Sequence, residues 1–433
     1  MLKTEIEREE LRVSLEQSGV GAPTSSPATN FAETSATDIG SSEISVALLT
    51  GGTDRHYAFG LAMALVAIGV RLEIIGSDMV DSPEMHDTQG LTFLNLQGSM
   101  QPASLRAKVA RLLRFYGLLA RYIWSAQPPV VHILWNNKLQ YLDRTLLMLY
   151  YKMLGKRVVF TAHNVNAGRR DSRNSLLNRW SLKTQYRLAD RLFVHTDKMK
   201  AELIEEFGLH SSKVTVIPFG INNAVPDTAL TCGDARQRLG LRNDEKVILF
   251  FGAIKEYKGL EFLVTAFRQL SARSGRFRLI VAGEPKKGHE RYFAEIQRAI
   301  RIDTTQDKYL LKLDFIPDQD VEVYFKAADL AVLPYTSIFQ SGILFMAYSF
   351  GIPVVATDVG SFRKDIVEGE TGFLCQPSDA EDLARTIERY FESDLFRDLA
   401  IGRRRIREFA RSRNSWDVVG QVTRQVYQEL LTR

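Results

Sequence analysis

A chain of 433 residues, 45% hydrophobic and 25% charged, has room for two domains with separate cores and an ordinary globular composition. Its two cysteines, Cys232 and Cys375, lie far apart, which argues against a disulfide framework or a cysteine-based zinc site and for a reducing, cytoplasmic setting; no apolar run approaches a membrane span, and the acidic, polar first twenty residues do not read as a signal peptide. The net charge of +5 is uneven: residues 41–225 hold 22 basic and 14 acidic side chains, a bias that suits an anionic membrane surface or a phosphate-bearing molecule.

Residues 1–40 are rich in Glu, then in Ser, Thr, Ala and Pro, and are expected to be a disordered tail, with a short helix at Ile6 to Leu15 as an alternative. From Ile44 a βα alternation begins. The strand I-S-V-A-L-L-T meets a polar loop, Gly51, Gly52, Thr53, Asp54, Arg55 and His56, then a helix to about Ile68 and the strand R-L-E-I-I-G. This loop lacks G-x-G-x-x-G, so a nicotinamide dehydrogenase is rejected. Leu105 to Ala126 reads as a helix with five basic residues and no acid; lying on an anionic bilayer and covering a sheet with a solvated basic rim both remain open.

Pro129 to Trp135 is a strand in which His132 reads as a core histidine. The strand Arg157 to Ala162 puts His163 at its carboxyl end, where open α/β sheets hold their ligands, with Asn164 next. Arg169, Arg170 and Arg173 follow in a loop, either to meet a phosphate or to be solvated. Pro218 to Asp234 reads as an interdomain linker. The second half opens with K-V-I-L-F-F-G-A-I-K-E-Y-K-G, a strand and a turn carrying Lys255 and Lys258, and a later strand leads to Glu284. Asp318-Gln319-Asp320 spells D-x-D at a helix start, where carboxylates cap N–H groups and meet the positive dipole end.

Then comes the central stretch. Strand Ala331 to Leu333 precedes a polar loop, Thr336 to Gly342, and a helix from about Ile343 to Phe350, stopped by Gly351 and Pro353. Ile352 to Ala356 is an all-apolar strand, as in a sheet buried on both faces. A Gly-containing loop that opens a helix after a parallel strand aims N–H groups at an anion, which fits a diphosphate; one more plain βα crossover fits the pattern equally. A helical run from about Ser415 to Leu431 follows.

G-I-P-V-V-A-T-D-V-G, then G-E-T-G-F-L, then P-S-D-A-E-D-L-A resembles the donor-binding half of the family 4 glycosyltransferases, and the similarity runs from about Ile44 onward. The resemblance implies an α/β fold of GT-B architecture, two Rossmann-like doubly wound domains facing across a cleft. Its expected parts are the tail at 1–40, an acceptor-binding domain at 41–225, a nucleotide-sugar-binding domain at 226–410 and a helix at 411–433 returning to the first domain. It implies sugar transfer from a UDP- or GDP-linked donor to a saccharide or polyprenyl-linked acceptor, in exopolysaccharide or cell-envelope glycan synthesis. No essential metal, no cofactor and no nucleic acid are implied. The expected setting is cytoplasmic, with peripheral contact to the inner face of the plasma membrane allowed.

By the same resemblance His163, Lys258 and Lys255 are the catalytic candidates. Gly51, Gly52, Glu284, Thr336, Gln340, Ser341, Gly342 and Ile343 are the donor-side candidates. Asp54, His56, Asn164, Arg169 and Arg170 are the acceptor-side candidates. Ala253 stands where the family most often has Arg, and Lys255 is expected to supply that charge. A lysine about 4 Å from a phosphate oxygen gains roughly 4 kcal/mol at an effective dielectric near 20, before desolvation.

The chain departs from the family at one pair of positions: Ile338 and Met346 replace two glutamates eight residues apart. A retaining transfer tolerates this, since the departing diphosphate can take the acceptor proton; an inverting one would need Asp54, His56 or His163 as base. A non-catalytic sugar-nucleotide-binding subunit is the main alternative, and a nucleotide-sugar epimerase a weaker one.

Overall fold

The computed structural model describes residues 44–52, 54–101, 104–166, 168, 174–221 and 225–432. The expected tail at 1–40, and Arg169, Arg170 and Arg173, lie outside the described residues. Two all-parallel sheets organise the chain. The first comprises β1 (Ser45–Leu49), β2 (Arg71–Ile75), β3 (Leu91–Leu94), β4 (Val130–Ile133), β5 (Arg157–Thr161), β6 (Arg191–Val194) and β7 (Val214–Val216), in the order β3-β2-β1-β4-β5-β6-β7. The second comprises β8 (Lys246–Phe251), β9 (Phe277–Ala282), β10 (Tyr309–Lys312), β11 (Leu330–Leu333), β12 (Val354–Thr357) and β13 (Gly372–Cys375), in the order β10-β9-β8-β11-β12-β13.

Central strands such as β4, β11 and β12 are buried at every position, as their unbroken apolar runs require when helices cover both faces. In each sheet the strand order reverses once, between β1 and β4 and between β8 and β11. Crevices at the carboxyl ends beside these reversals are where open α/β sheets bind ligands. The residues delivered there are Thr50 to Gly52 and Trp135 from the first sheet, and Gly252 to Lys255 and Pro334–Tyr335 from the second.

The helix Leu105–Ser125 covers one face of the first sheet through Phe115, Leu119 and Ile123, while Leu105, Val109, Leu113 and Trp124 are exposed. Neither reading of that helix is displaced: it covers the sheet and also shows apolar side chains outward. Sequence patterning had no element for Gln140 to Met153, which is helical with a π turn at Asp143–Leu147, or for the helices Leu176–Leu188 and Leu399–Asn414.

The chain crosses between the two sheets twice, and the crossings are bound to each other. Ile221 N–H donates to Asn414 O at 2.9 Å, Asn414 Nδ2 to Phe219 O at 2.8 Å, and Trp416 Nε1 to Ile221 O at 2.6 Å. After Asn414 the helix Trp416–Leu431 packs into the first domain's core beside the helix Arg55–Ala67. His132 links it to the sheet: its ring nitrogens sit 2.6 Å from Tyr427 Oη and 2.7 Å from Thr161 Oγ1, and burial pushes its pKa down to about 3.

Trp416 fills a slot that only glycines leave open. A Cβ on Gly60 would meet its ring at 2.1 Å, and one on Gly220 at 2.3 Å. Trp416→Ala should therefore empty a well-packed site and leave Ile221 O without its donor, at a cost of about 3–5 kcal/mol. Urea unfolding followed by circular dichroism checks this, and a loss under about 1 kcal/mol would contradict the packing argument.

Candidate functional site

The first domain's contribution is an aromatic box around one histidine. His163, just past β5, stacks on Trp135 with ring centroids 4.1 Å apart and 4° between planes, and meets Tyr57 edge-on at 4.6 Å. Its Nδ1 lies 3.0 Å from His195 Nε2, and His195 Nδ1 lies 3.4 Å from Ile217 O. A carbonyl can only accept, so this network assigns the His195 proton to Nδ1. His195 Nε2 then accepts from His163 Nδ1–H, and His163 Nε2 is left as a bare acceptor, buried and without a partner. Burial, chiefly, keeps both rings neutral: His195 is pushed down to about 4, and His163 well below its ordinary value with His195 adding to the effect.

The second domain's contribution is positive. The turn after β8 carries Lys255, Lys258 and Gly259. A Cβ on Gly259 would fall 2.0 Å from Pro334 O, and its φ is +63°, so glycine is required for the turn to lie against the end of β11. Thr336 ties the same two segments together, donating from N–H and Oγ1 to Tyr257 O at 2.8 and 3.3 Å. Lys258 is thereby buried, with Nζ 5.5 Å from the Tyr335 ring centroid. Among the described residues no carboxylate lies within ion-pair distance of it. Loss of hydration, with Lys255 adding to it, pushes its pKa down to about 7.

The helix Gly342–Ser349 begins beside this lysine. A methyl group on Gly252 would lie 3.2 Å from Lys258 Nζ and 3.3 Å from Ile343 Cδ1, so the ammonium and the helix's first turn converge there. Ser341 is the N-cap, but its side chain does not cap, and the first N–H groups are open to an anion. Lys258 and Ser341, each beside Tyr335, thus share one wall.

Two cavities flank the loop 336–342 in the crevice. One, of about 590 Å³, is lined by Asp54, His56 and Tyr57 on one side and by Gly342, Ile343 and Met346 on the other. The second, of about 540 Å³, lies between Asn164 and Asn166 and the loop's Ser337, Ile338 and Phe339. The two apolar replacements therefore line different cavities. Gln340 turns toward Asp365 and keeps Oε1 buried without a partner.

Several candidates serve local structure. Asp54 caps the helix Arg55–Ala67, accepting from Tyr57 N–H at 3.2 Å, and burial raises its pKa. Glu284 pairs with Lys286, and its carbonyl accepts from Ile254 N–H at 2.9 Å. Gly51 and Gly52 hold positive φ, and Gly51 lines a third cavity, whose lining residues all belong to the first domain. The D-x-D reading needs correction: Pro317 is the N-cap and neither aspartate caps the helix. Asp318 instead reaches across the crevice to Arg55 at 3.5 Å and His56 at 3.4 Å.

His195, Trp135, Tyr57 and Phe219 escaped the sequence reading. His195 follows the last residue of β6 as His163 follows β5, so the strand-end rule that selected one could have selected both. Buried neutral histidines make a pH prediction. Below about 6.5 the unfolded chain takes up protons that His132, His163 and His195 do not, so stability should fall as pH drops from 6.5 toward 4. Imidazole ¹⁵N spectra should show His163 Nε2 unprotonated between pH 5.5 and 8, and a tautomer mixture in His195→Phe. Protonation of His163 in that range would refute the assignment.

Two family models match. "Glycosyltransferase Family 4" covers residues 50–225 and "Glycosyl transferases group 1" covers residues 245–393. A D-inositol 3-phosphate glycosyltransferase from Streptosporangium roseum is 29% identical over 223 residues, covering 50% of each chain. One from Acidothermus cellulolyticus is 31% identical over 222 residues, 49% of this chain and 48% of that one. The chain spans about half the length of the curated relatives it matches. Among solved structures, sucrose-phosphate synthase from Thermosynechococcus elongatus shares the fold with a TM-score of 0.71 at 21% identity, over 90% of this chain and 99% of that one. Anabaena Alr3699/HepE in complex with UDP-glucose does so with a TM-score of 0.68 at 18% identity, over 90% and 100%.

Proposed function

The chain belongs to the GT-B family 4 glycosyltransferases, and from that premise we propose that it moves a glycosyl group from a nucleoside-diphosphate sugar to an acceptor hydroxyl with retention. The observation that carries this is Lys258, a buried ammonium with no carboxylate beside it among the described residues, set against the open first turn of the helix Gly342–Ser349. A nucleoside diphosphate supplies the missing anion. As the bond from sugar to diphosphate breaks, charge builds on the leaving oxygen, and a fixed cation stabilises that state more than the ground state. The new bond forms between the anomeric carbon and the acceptor oxygen. The acceptor proton passes to a departing phosphate oxygen, which replaces the missing carboxylates. Lys255 adds charge at the turn, and the bare Nε2 of His163 accepts a hydrogen bond from a hydroxyl of the sugar.

We propose UDP as the first base to test, because structures similar in fold hold UDP and UDP-glucose. A saccharide or lipid-linked acceptor in envelope glycan synthesis, cytoplasmic work at the membrane face and independence from an essential metal belong to the same proposal. Among the described residues no helix is long and apolar enough to cross a membrane.

A thermal-shift screen against UDP-, GDP- and ADP-sugars should give one class of hit, lost in Lys258→Ala. The pH dependence has a fixed sign. Anion binding raises the pKa of Lys258, so affinity should weaken above about pH 7, by at most about tenfold per unit, and the slope should flatten in Lys258→Arg. A hit that Lys258→Ala keeps in full would defeat the diphosphate site. The apolar Ile338 and Met346, one in each cavity, favour a second reading, a non-catalytic sugar-nucleotide subunit. Donor binding without transfer to any acceptor in a cell lipid extract would select it.

A further inference from the structure

The cavity of the first domain that Gly51 lines has no part in the donor site, and its chemistry is of two kinds. Its volume is about 420 Å³, and among the described residues Lys108, Arg111 and Lys138 stand around it while no carboxylate lines it. Among the described residues neither Lys108 nor Lys138 has an acid within ion-pair distance; Arg111 donates to Ser99 O. The amide of Asn137 is anchored from behind by Asp143 at 3.3 Å, and Gln97 donates to Asn137 Oδ1 at 2.9 Å. The remaining wall is apolar: Val109, Leu112 and Phe115.

That apolar wall is continuous with the outer face of the domain. The helices Leu105–Ser125, Met148–Met153 and Leu176–Leu188 all bury their inner residues in one core cluster, so their outer residues share one side. Twelve of the eighteen large apolar side chains exposed among the described residues lie from Leu105 to Trp180. This face is therefore where apolar exposure is concentrated, far beyond scattered single residues.

We propose that this cavity seats the phosphate or diphosphate of an acceptor whose hydrocarbon chain runs along the Val109–Leu112 wall toward that outer face. Three cations around one small cavity suit more than one negative charge, and Arg and amide donors suit phosphate oxygens. The apolar wall suits a chain that an inorganic anion lacks. Gly51 is both the cavity's wall and the residue after Thr50 at the end of β1, so the seated headgroup lies at the sheet edge where β5 presents His163. The proposal rests on the glycosyltransferase reading and names the acceptor class for it.

The test uses the full chain saturated with UDP, so that the donor site is blocked, and titrates farnesyl diphosphate, farnesol and inorganic pyrophosphate. Farnesyl diphosphate should bind with one site per chain, and farnesol and pyrophosphate at least about tenfold more weakly. Lys108→Ala/Lys138→Ala, both at exposed positions, should weaken farnesyl diphosphate about tenfold or more while UDP affinity stays within twofold. Arg111→Gln should act the same way. No binding of farnesyl diphosphate to the UDP-loaded chain, or equal binding by the double variant, overturns the proposal. Pyrophosphate binding as tightly as farnesyl diphosphate overturns the lipid-linked assignment. Failure of UDP, GDP and ADP alike to bind would overturn the donor reading instead, so the two failures are separable.

Discussion

An ammonium group taken out of water without a counter-ion costs folding free energy, and the second domain carries that cost at Lys258. Nothing about the sheet's packing requires a lysine there, since an apolar side chain against Tyr335 would serve the core better. What surrounds it is arranged to keep it in place. Gly259 allows the turn to lie on the Pro334 carbonyl, and Thr336 fastens the loop after β11 to Tyr257. The helix Gly342–Ser349 presents unfilled N–H groups to the same spot. A site held under this kind of tension is relieved by an anion, which is why the lysine's depressed pKa and the open helix end belong to one argument.

The first domain brings a neutral aromatic cluster to the crevice, with charged side chains around it. His163, His195 and Tyr57 are kept uncharged or aromatic, and Phe219 extends the cluster across the crossing point, stacking on Phe345 of the second domain at 5.5 Å. The interdomain contacts divide accordingly. Apolar and backbone bonds gather at the two chain crossings around Phe219, Asn414 and Trp416. Ion pairs sit farther out, at Arg55–Asp318 and Lys364–Asp197. Exposed pairs such as Lys364–Asp197 are worth little, so the packing and bonds at the crossings hold the two domains together more firmly.

Much of the fold was legible because it is written in period and punctuation. Apolar runs such as Ile352 to Ala356 gave buried strands, and Gly351 with Pro353 gave a helix stop. His132 was read as a core residue, and it is enclosed by Thr161 and Tyr427. The central stretch carried the family resemblance, and the two parallel sheets have the doubly wound order it implied. What was not legible depends on partners distant in sequence. Asp318 looked like a cap because its neighbours are helical, but its role is set by Arg55, more than 250 residues away. Trp135 and Tyr57 matter through the face they turn to His163, which no local pattern records. The helices at 140–153 and 176–188 have apolar residues on both sides, so their periodicity is blurred by the exposed set.

The acids near the donor wall bear on how a transfer would proceed without the glutamates of the family; Asp78 and Asp81 line one crevice cavity, and Glu202, Glu205 and Glu206 line the other. Asp54 is committed to a helix N-terminus, Asp318 to Arg55 and His56, Glu284 to Lys286, and Asp358 to Arg363. Asp365 accepts from Ser361 at 2.6 Å and is further occupied by Gln340. Releasing Asp54 to act as a base would break a cap, and releasing Asp318, Glu284 or Asp358 would strand a cation. A carboxylate base at Ile338 or Met346 is impossible, and His163 Nε2, though a free acceptor, belongs to a ring whose surroundings oppose the charge a base must acquire. In the retaining transfer proposed above, the proton goes to the phosphate that is leaving, whose negative charge rises at the moment the proton is released. The missing glutamates and Lys258 then belong to one proposed mechanism.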